Sequence, residues 1–208
     1  MVGMALAHQL NERHPDLSIT VIDKEPEIGR HSSGRNSGVL HAGLYYPPGT
    51  LKAQVCVQGA RRLRAWCEAE GLPVLACGKV ITPQTPELDQ QLEVLLERGR
   101  ANGAEVHLID NQDFHLRVPD GRTATGRALW SPNTCVVKPK LVLQRLEQRL
   151  RERGVRFVLG AAVQSLKIDA NRLTFAQTGS TNSSLTYGHL FNATGLQADR
   201  VARTFGVG

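Results

Sequence analysis

Apolar residues recur along this chain at two periods, and the switches between them lay out most of its elements. Met4, Ala7 and Leu10 share one stripe of a predicted helix over residues 1–13, with Leu6 on its flank. His14-Pro15-Asp16 ends it, because proline cannot continue a helix. Ile19-Thr20-Val21-Ile22 is a short β-branched run closed by Asp23-Lys24-Glu25, the pattern of a buried parallel strand. A second helix is predicted over 51–70, with Leu51, Val55, Gly59, Leu63 and Trp66-Cys67 inward and Gly71 as its stop. A third runs over 86–102, with Pro86 in its first turn, Leu88, Leu92 and Leu95-Leu96 inward and Gly103 as stop. Pro139 opens a fourth, to about Arg153, facing inward through Val142-Leu143, Leu146 and Leu150. Extended segments are predicted at 78–82, 106–109, 128–130, 135–137, 156–159, 162–168, 173–177, 185–187 and 189–192, and a last helix starts near Ala198. Residues 110–126 are polar and weakly patterned and read as loop.

A helix followed by a strand ending in an acid is the second half of a βαβ nucleotide-binding unit. In the full unit G-x-G-x-x-G precedes the helix, and an acid about 20 positions on holds the ribose. Gly3 and Asp23 stand at that spacing. The first two glycines and the first strand are expected upstream of Met1. That strand is central in a doubly wound sheet, so the 19–22 strand is expected to carry an open edge. A chance helix–strand pair with a solvated acid at its end fits the same residues.

Composition narrows the partners. At 208 residues, with 41% hydrophobic and 21% charged residues, the chain can bury a sizeable core. No apolar run approaches the roughly 20 residues of a membrane helix. The N-terminus lacks the basic start and apolar core of a signal peptide, so the expected location is cytoplasmic, with peripheral attachment to an inner membrane left open. Net charge +6 favours an acidic ligand. Aromatics are only 5%, and Arg61, Arg62, Arg64 and the arginines of 145–153 read as solvated helix faces, which points away from nucleic acid and toward a small anion. Cys56, Cys67, Cys77 and Cys135 show no C-x-x-C spacing; they read as buried free thiols, and no metal site is expected.

The remaining chemistry is concentrated in Arg30–Tyr46, R-H-S-S-G-R-N-S-G-V-L-H-A-G-L-Y-Y. Small residues let backbone approach a ligand, while hydroxyls and amides bind phosphate or ring edges. A surface turn can have the same composition. This run, however, is long, carries two imidazoles, and follows the half-unit directly.

H-S-S-G-R-N-S-G-V-L-H-A-G-L-Y-Y, then P-P-G-T-L-K-A-Q-V-C-V-Q-G, resembles the L-2-hydroxyglutarate oxidases and dehydrogenases of the D-amino-acid-oxidase-like FAD superfamily. F-N-A-T-G-L-Q-A-D-R-V-A at 191–202 is similar to the later strand-to-helix FAD segment of that family. The resemblance implies an α/β fold: an FAD-binding Rossmann-like, doubly wound domain lacking its first strand, with an inserted α+β substrate-domain portion. The division expected is 1–45 and 138–208 for FAD and 46–137 for substrate. It also implies a chain truncated at both ends, FAD as cofactor, a small 2-hydroxy acid as substrate, and oxygen or a quinone as electron acceptor. His41 is the expected base. Gly3, Asp23, Lys24, His31, Ser33, Asn36, Ser37 and Gly38 are the expected FAD contacts, with Ala193-Thr194-Gly195 on the pyrophosphate side and the Val163 backbone beside adenine. A histidine that only bonds loop backbone is the plainer reading of His41. Arg35 and Lys52 are weighed for a substrate carboxylate but read as surface charges.

Three other readings stand beside this one. A relative acting on an amine or glycerol 3-phosphate would share the fold. A non-catalytic remnant would bind nucleotide weakly or fold against a partner piece. An NAD-dependent Rossmann enzyme leaves the histidine loop without a role.

Overall fold

Helix α1 (Val2–Arg13) and strand β1 (Thr20–Ile22) form where the two periods place them, separated by the His14-Pro15 break. The computed structural model describes residues 1–167, 171–177, 183–204 and 206. By contacts the chain divides into two compact units, Met1–Asn36 with Pro139–Gly208, and Ser37–Lys138. The sequence division set its first boundary at 45/46; here the chain passes to the second unit at 36/37. Pairing is the reason, since Val39 and Leu40 join a sheet with Val136 and Cys135.

In the first unit β1 pairs in parallel with β8 (Arg156–Val158), Thr20 beside Arg156 and Ile22 beside Val158. Helix α5 (Pro139–Glu152) leads into β8 and buries Val142, Leu143, Leu146 and Leu150, the four positions its periodicity marked. Helix α1 lies along α5, with Met4, Ala7 and Asn11 buried rather than Leu10. Strands β9 (Ala161–Lys167), β10 (Arg172–Gln177) and β11 (Ser183–Thr186) form an antiparallel sheet. Its Ala161, Leu173 and Phe175 make a core with Ile22 and Val158, tying the two sheets together. Ile168, expected at the end of β9, lies outside the described residues.

The second unit holds β2 (Val39–Leu40), β3 (Val74–Leu75), β4 (Lys79–Ile81), β5 (His107–Ile109), β6 (Ala128–Ser131) and β7 (Cys135–Val137) in two antiparallel sheets, β2-β7-β3 and β4-β6-β5. Helix α2 (Leu51–Ala69) starts at Thr50, whose hydroxyl accepts from Ala53 N at 3.2 Å. Helix α3 (Gln90–Ala101) follows a 3-10 turn at Pro86–Leu88. Its N-terminal end is clamped by Arg127, which pairs with Asp89 and Glu93, while Thr125 donates to Asp89. Leu44, Leu92, Leu96, Val106 and Leu129 form the main core.

Several sequence expectations are corrected. Residues 110–126 contain helix α4 (Asn111–Arg117), capped by Asp110 Oδ1 accepting from Asp113 N at 2.9 Å. Phe114, 2% exposed, is its one buried anchor, so seven residues form a helix without an apolar period. Residues 189–192 join no ladder among the described residues, and all four are exposed. The inward face of α2 differs in part from the expected one. Cys67 is buried as expected, but Leu51 and Val55 are exposed and Ala53 is buried in their place. Leu88 is likewise exposed. Of the cysteines, Cys67 and Cys135 are buried, Cys56 is half-buried and Cys77 is exposed.

Helix α6 (Ala198–Arg203) ends the described chain apart from Thr204 and Gly206. No described helix is long and apolar enough to cross a membrane.

Candidate functional site

The first unit gathers four separate chain segments around the N-terminal end of α1. That end has no side-chain cap, so its first amides have no side-chain acceptor. The Met1 amino group reaches Ser33 Oγ at 3.4 Å. Burial pushes that amino group below its usual range, while the Asp23 carboxylate acts in the opposite direction. A Cβ built on Gly3 stands 3.3 Å from that of Ala193, so the 193–195 turn lies against the first turn of α1. Asp23 sits where β1 ends; its backbone bonds Val158 and Ala161, and its Oδ1 accepts from Glu25 N at 3.0 Å.

The loop that follows is folded by its own backbone. Gly34 N donates to His31 O at 3.0 Å, Arg35 N to Ser32 O at 3.3 Å, and Asn36 Nδ2 to the carbonyls of Ser32 and Ser33. Gly34 crosses Gly29 so closely that a Cβ would lie 2.0 Å from Gly29 O. Lys24 and His31 are exposed and share Glu25, which the sequence reading had passed over. Lys24 Nζ bonds its carboxylate, and His31 Nε2 lies 2.8 Å from Oε1. These two bonds, Lys24 first, hold the Glu25 carboxyl down to about 2. An acid beside the Asp23-Lys24 strand end was the signal available.

The remaining expected contacts lie apart from this group or have other duties. Asn36 closes the first unit and Ser37 opens the second. Gly38 is buried with φ +70, and its carbonyl accepts from Val137 N. Val163 pairs with Phe175 at a register irregularity, its side chain packed on the Ala161–Leu173–Phe175 core. Thr194 is tied by its amide and hydroxyl to Asn192 Oδ1, and Asn192 Nδ2 donates to Ala198 O at 2.8 Å, so the turn before α6 is internally braced.

In the second unit His41 follows β2 and stands beside Tyr45, ring centroids 6.4 Å apart at 74°. Contacts from several elements fix this loop. Gly43, at φ +87, passes Val57 so closely that a Cβ would lie 2.6 Å from Cγ2. Leu44 is fully buried, and Asn102 Nδ2 donates to Gly43 O and Tyr46 O at 2.8 and 2.9 Å. Cys56 Sγ donates to His41 O at 3.4 Å. From β4, Lys79 Nζ donates to Tyr45 Oη at 2.5 Å and stands 4.4 Å from the ring centroid. Partial burial, and then the Lys79 charge, lower the His41 pKa, which favours the neutral ring. Lys79 and Asn102 were missed because each reaches the loop from a distant part of the chain. No group of three or more metal-ligating side chains is assembled among the described residues.

A family model described as FAD dependent oxidoreductase (DAO) matches residues 1–208. The chain belongs to this family. Among its relatives, the mitochondrial L-2-hydroxyglutarate dehydrogenase of Mus musculus is 32% identical over 99% of this chain and 46% of its own length. The L-2-hydroxyglutarate dehydrogenase of Indibacter alkaliphilus is 33% identical over 98% of this chain and 50% of its own. The chain therefore spans about half the length of the curated relatives it matches. Solved structures share the fold at lower identity. Glycine oxidase from Geobacillus kaustophilus superposes with a TM-score of 0.82 at 18% identity, covering 100% of this chain and 56% of the oxidase. L-α-glycerophosphate oxidase from Mycoplasma pneumoniae, with FAD bound, gives 0.80 at 21%, covering 98% and 54%.

FAD is the cofactor of this family of oxidoreductases, and the first unit suits it chemically. An uncapped helix N-terminus is suited to a pyrophosphate, a strand-end carboxylate to ribose hydroxyls, and a serine hydroxyl to a phosphate oxygen.

Proposed function

We propose that this chain carries the FAD-binding elements and part of the substrate elements of an enzyme that oxidises L-2-hydroxyglutarate to 2-oxoglutarate. The carrying observation is the meeting of Met1, Gly3, Asp23, Ser33 and Ala193 at the uncapped end of α1, in a chain whose relatives bear that enzyme's name. In this reading residues 1–45 and 138–208 serve FAD, and 46–137 serve substrate. Asp23 holds the ribose, and the α1 amides, Ser33 and the 193–195 turn hold the pyrophosphate. Asn36, Ser37 and Gly38 lie along the flavin, and Val163 offers backbone to adenine. Lys24 and His31, each bound to Glu25, close the adenosine side.

Bound FAD supplies the two-electron acceptor for the hydrogen on the substrate's Cα. His41 takes the proton of the 2-hydroxyl as that hydrogen leaves, giving the 2-oxo acid. Its lowered pKa supports this role, because a neutral imidazole is needed to accept a proton. With FAD bound, the electrons would pass on to oxygen or a quinone. The cytoplasm, or the inner-membrane surface, is the location that goes with this reading. Relatives at 32–33% identity favour the hydroxy acid over the amine or glycerol 3-phosphate, whose enzymes resemble this chain at 18–21%.

The test is an absorbance spectrum of the 208-residue chain mixed with FAD, then with L-2-hydroxyglutarate under anaerobic conditions. Retained flavin bands that bleach with this substrate, and not with glycine or glycerol 3-phosphate, are expected. A folded chain that retains no FAD, or retained bands that only another substrate bleaches, overturns the proposal.

A further inference from the structure

We propose that Lys79 and Tyr45 form a receptor for a substrate carboxylate beside His41. The inference rests on the hydroxy-acid reading above and adds to it a binding site built wholly within the second unit. It starts from the hydrogen-bond capacity of two side chains. An ammonium has three donors, and Lys79 uses one of them, on Tyr45 Oη. Because that phenol oxygen is the acceptor, its own O–H proton is left to donate elsewhere. The ammonium thus keeps two N–H groups and the phenol one O–H, all able to donate to an anion.

Lys79, like Lys52 over the Tyr46 ring, stands on a tyrosine of the histidine loop, but it is the Lys79 charge that acts on His41. Lys24 is paired with Glu25, Arg64 with Glu68, Arg127 with Asp89 and Glu93, and Arg151 with Glu147. Lys79 has no carboxylate within ion-pair distance among the described residues. It nevertheless sits against an aromatic ring at the mouth of the histidine loop, with Tyr45 43% exposed. A cation left without an acid beside a candidate proton acceptor suits a site where the acid arrives with the substrate. Among the described residues, the groups shown beside His41 are Lys79 from β4, the Tyr45 ring from its own loop and the Cys56 thiol on its backbone carbonyl, and none of these is a carboxylate.

The receptor is also held rigidly. Gly78, immediately before Lys79, has φ +69, and a Cβ there would stand 1.8 Å from Trp130 Cη2. Its amide donates to Thr134 O at 2.9 Å, so the backbone entering β4 lies flat against the indole. On the other side, the buried Leu44 and the Asn102 amide hold the backbone on either side of Tyr45. Such bracing on both sides lowers the entropy cost of presenting the donors together.

Glutarate, which has both carboxylates and no oxidisable hydroxyl, separates binding from chemistry. It is titrated into the 208-residue chain while the Tyr45 and His41 ring signals are followed by NMR. The chains compared are the wild type, Lys79→Met, Lys79→Arg and Tyr45→Phe. Methionine keeps an unbranched apolar stem over the Tyr45 ring, and the methyl signals of Leu44 and Leu129 report that the core is intact. Glutarate is expected to move both ring signals in the wild type. Removing a charge-assisted hydrogen bond should weaken binding at least about tenfold in Lys79→Met. Lys79→Arg should stay within about threefold of the wild type, and Tyr45→Phe should fall between the two.

No response of the Tyr45 and His41 signals in the wild type, or equal binding in Lys79→Met, overturns the receptor. Should Lys79→Met fail to fold, Lys79→Arg and Tyr45→Phe still decide. Glutarate binding that depends on Lys79, without flavin bleaching by L-2-hydroxyglutarate, leaves the receptor standing and removes the proposed reaction. Bleaching that survives Lys79→Met with an unchanged KM does the reverse.

Discussion

Gly34→Ala tests whether the loop after β1 is held in one conformation by backbone contact. The added Cβ would lie 2.0 Å from Gly29 O, 2.9 Å from its C and 3.3 Å from its Cα. All three atoms are backbone, so no side-chain rotation relieves the overlap. Gly29 cannot retreat freely either. It has φ +76, and the place a Cβ would take on it is filled by Leu143 Cδ1 at 2.6 Å, on the buried face of α5. Overpacking typically costs 1–3 kcal/mol, and a contact with no flexible partner belongs at the top of that range, about 3 kcal/mol. For a chain of this size such a loss corresponds to a Tm lower by roughly 6–12 °C. If the loop instead opens to avoid the overlap, Ser33 moves from the Met1 amino group and Asn36 from its two carbonyls, and FAD affinity should fall by about tenfold or more. Thermal unfolding and a fluorescence titration with FAD read the two outcomes together. A variant with both wild-type Tm and wild-type FAD affinity would refute the claim that this crossing sets the loop.

Gly59, by contrast, meets nothing within 4 Å on the exposed side of α2, so Gly59→Ala should raise stability by about 0.5–1 kcal/mol in urea unfolding. Phe114→Ala should cost about 3–5 kcal/mol by the same measurement, because the ring is the one buried anchor of α4 and leaves a cavity under β5 and β6. The His41 ring has a pKa lowered from its ordinary 6.5, so folding favours its neutral form. The stability this provides is present above pH 6.5 and is lost as pH falls through the folded value. Flavin reduction should accordingly begin at a pH below 6.5, and Lys79→Met, which removes the second cause of the lowering, should move that onset upward in stopped-flow pH profiles. An unmoved onset would count against Lys79 acting on His41.

Helices whose inner faces are built from large aliphatic residues could be read directly. Helix α5 buries the four positions that its spacing marked, and β1 lies where a β-branched run meets charge. Reading failed where the deciding contact is small or far away in sequence. The first half of α2 buries Ala53 rather than Leu51 or Val55, and Gly43 lies against Val57, so shape selects a face that hydrophobicity alone does not. Helix α4 depends on one cap and one phenylalanine, which leave no period to detect. Strand β2 lies inside a run whose composition suggested loop, because pairing with β7 is supplied by residues almost a hundred positions on.

The candidate site divides in the same way. Ser33, Asn36 and His41 were visible because polar groups cluster in one stretch, and Asp23 because a helix and strand stand at a nucleotide-binding spacing. Lys79 was not visible, since a lysine opening a short strand resembles any solvated charge until Tyr45 is seen beneath it. Its position depends on Gly78 lying on Trp130, just as the Ser33 loop depends on Gly34 crossing Gly29 and the His41 loop on Gly43 passing Val57. In each case a glycine occupies a place that no side chain could share, and the residue with the chemistry follows or precedes it closely. Crowding alone does not mark the site: Gly121 is crowded too, against Phe114 Cζ at 2.5 Å, and Gly195, in the turn assigned to the pyrophosphate, has open space around it. At Gly34, Gly43 and Gly78 it is the close approach itself that sets where Ser33, His41 and Lys79 stand. Replacing these glycines by alanine should displace function before it unfolds either unit.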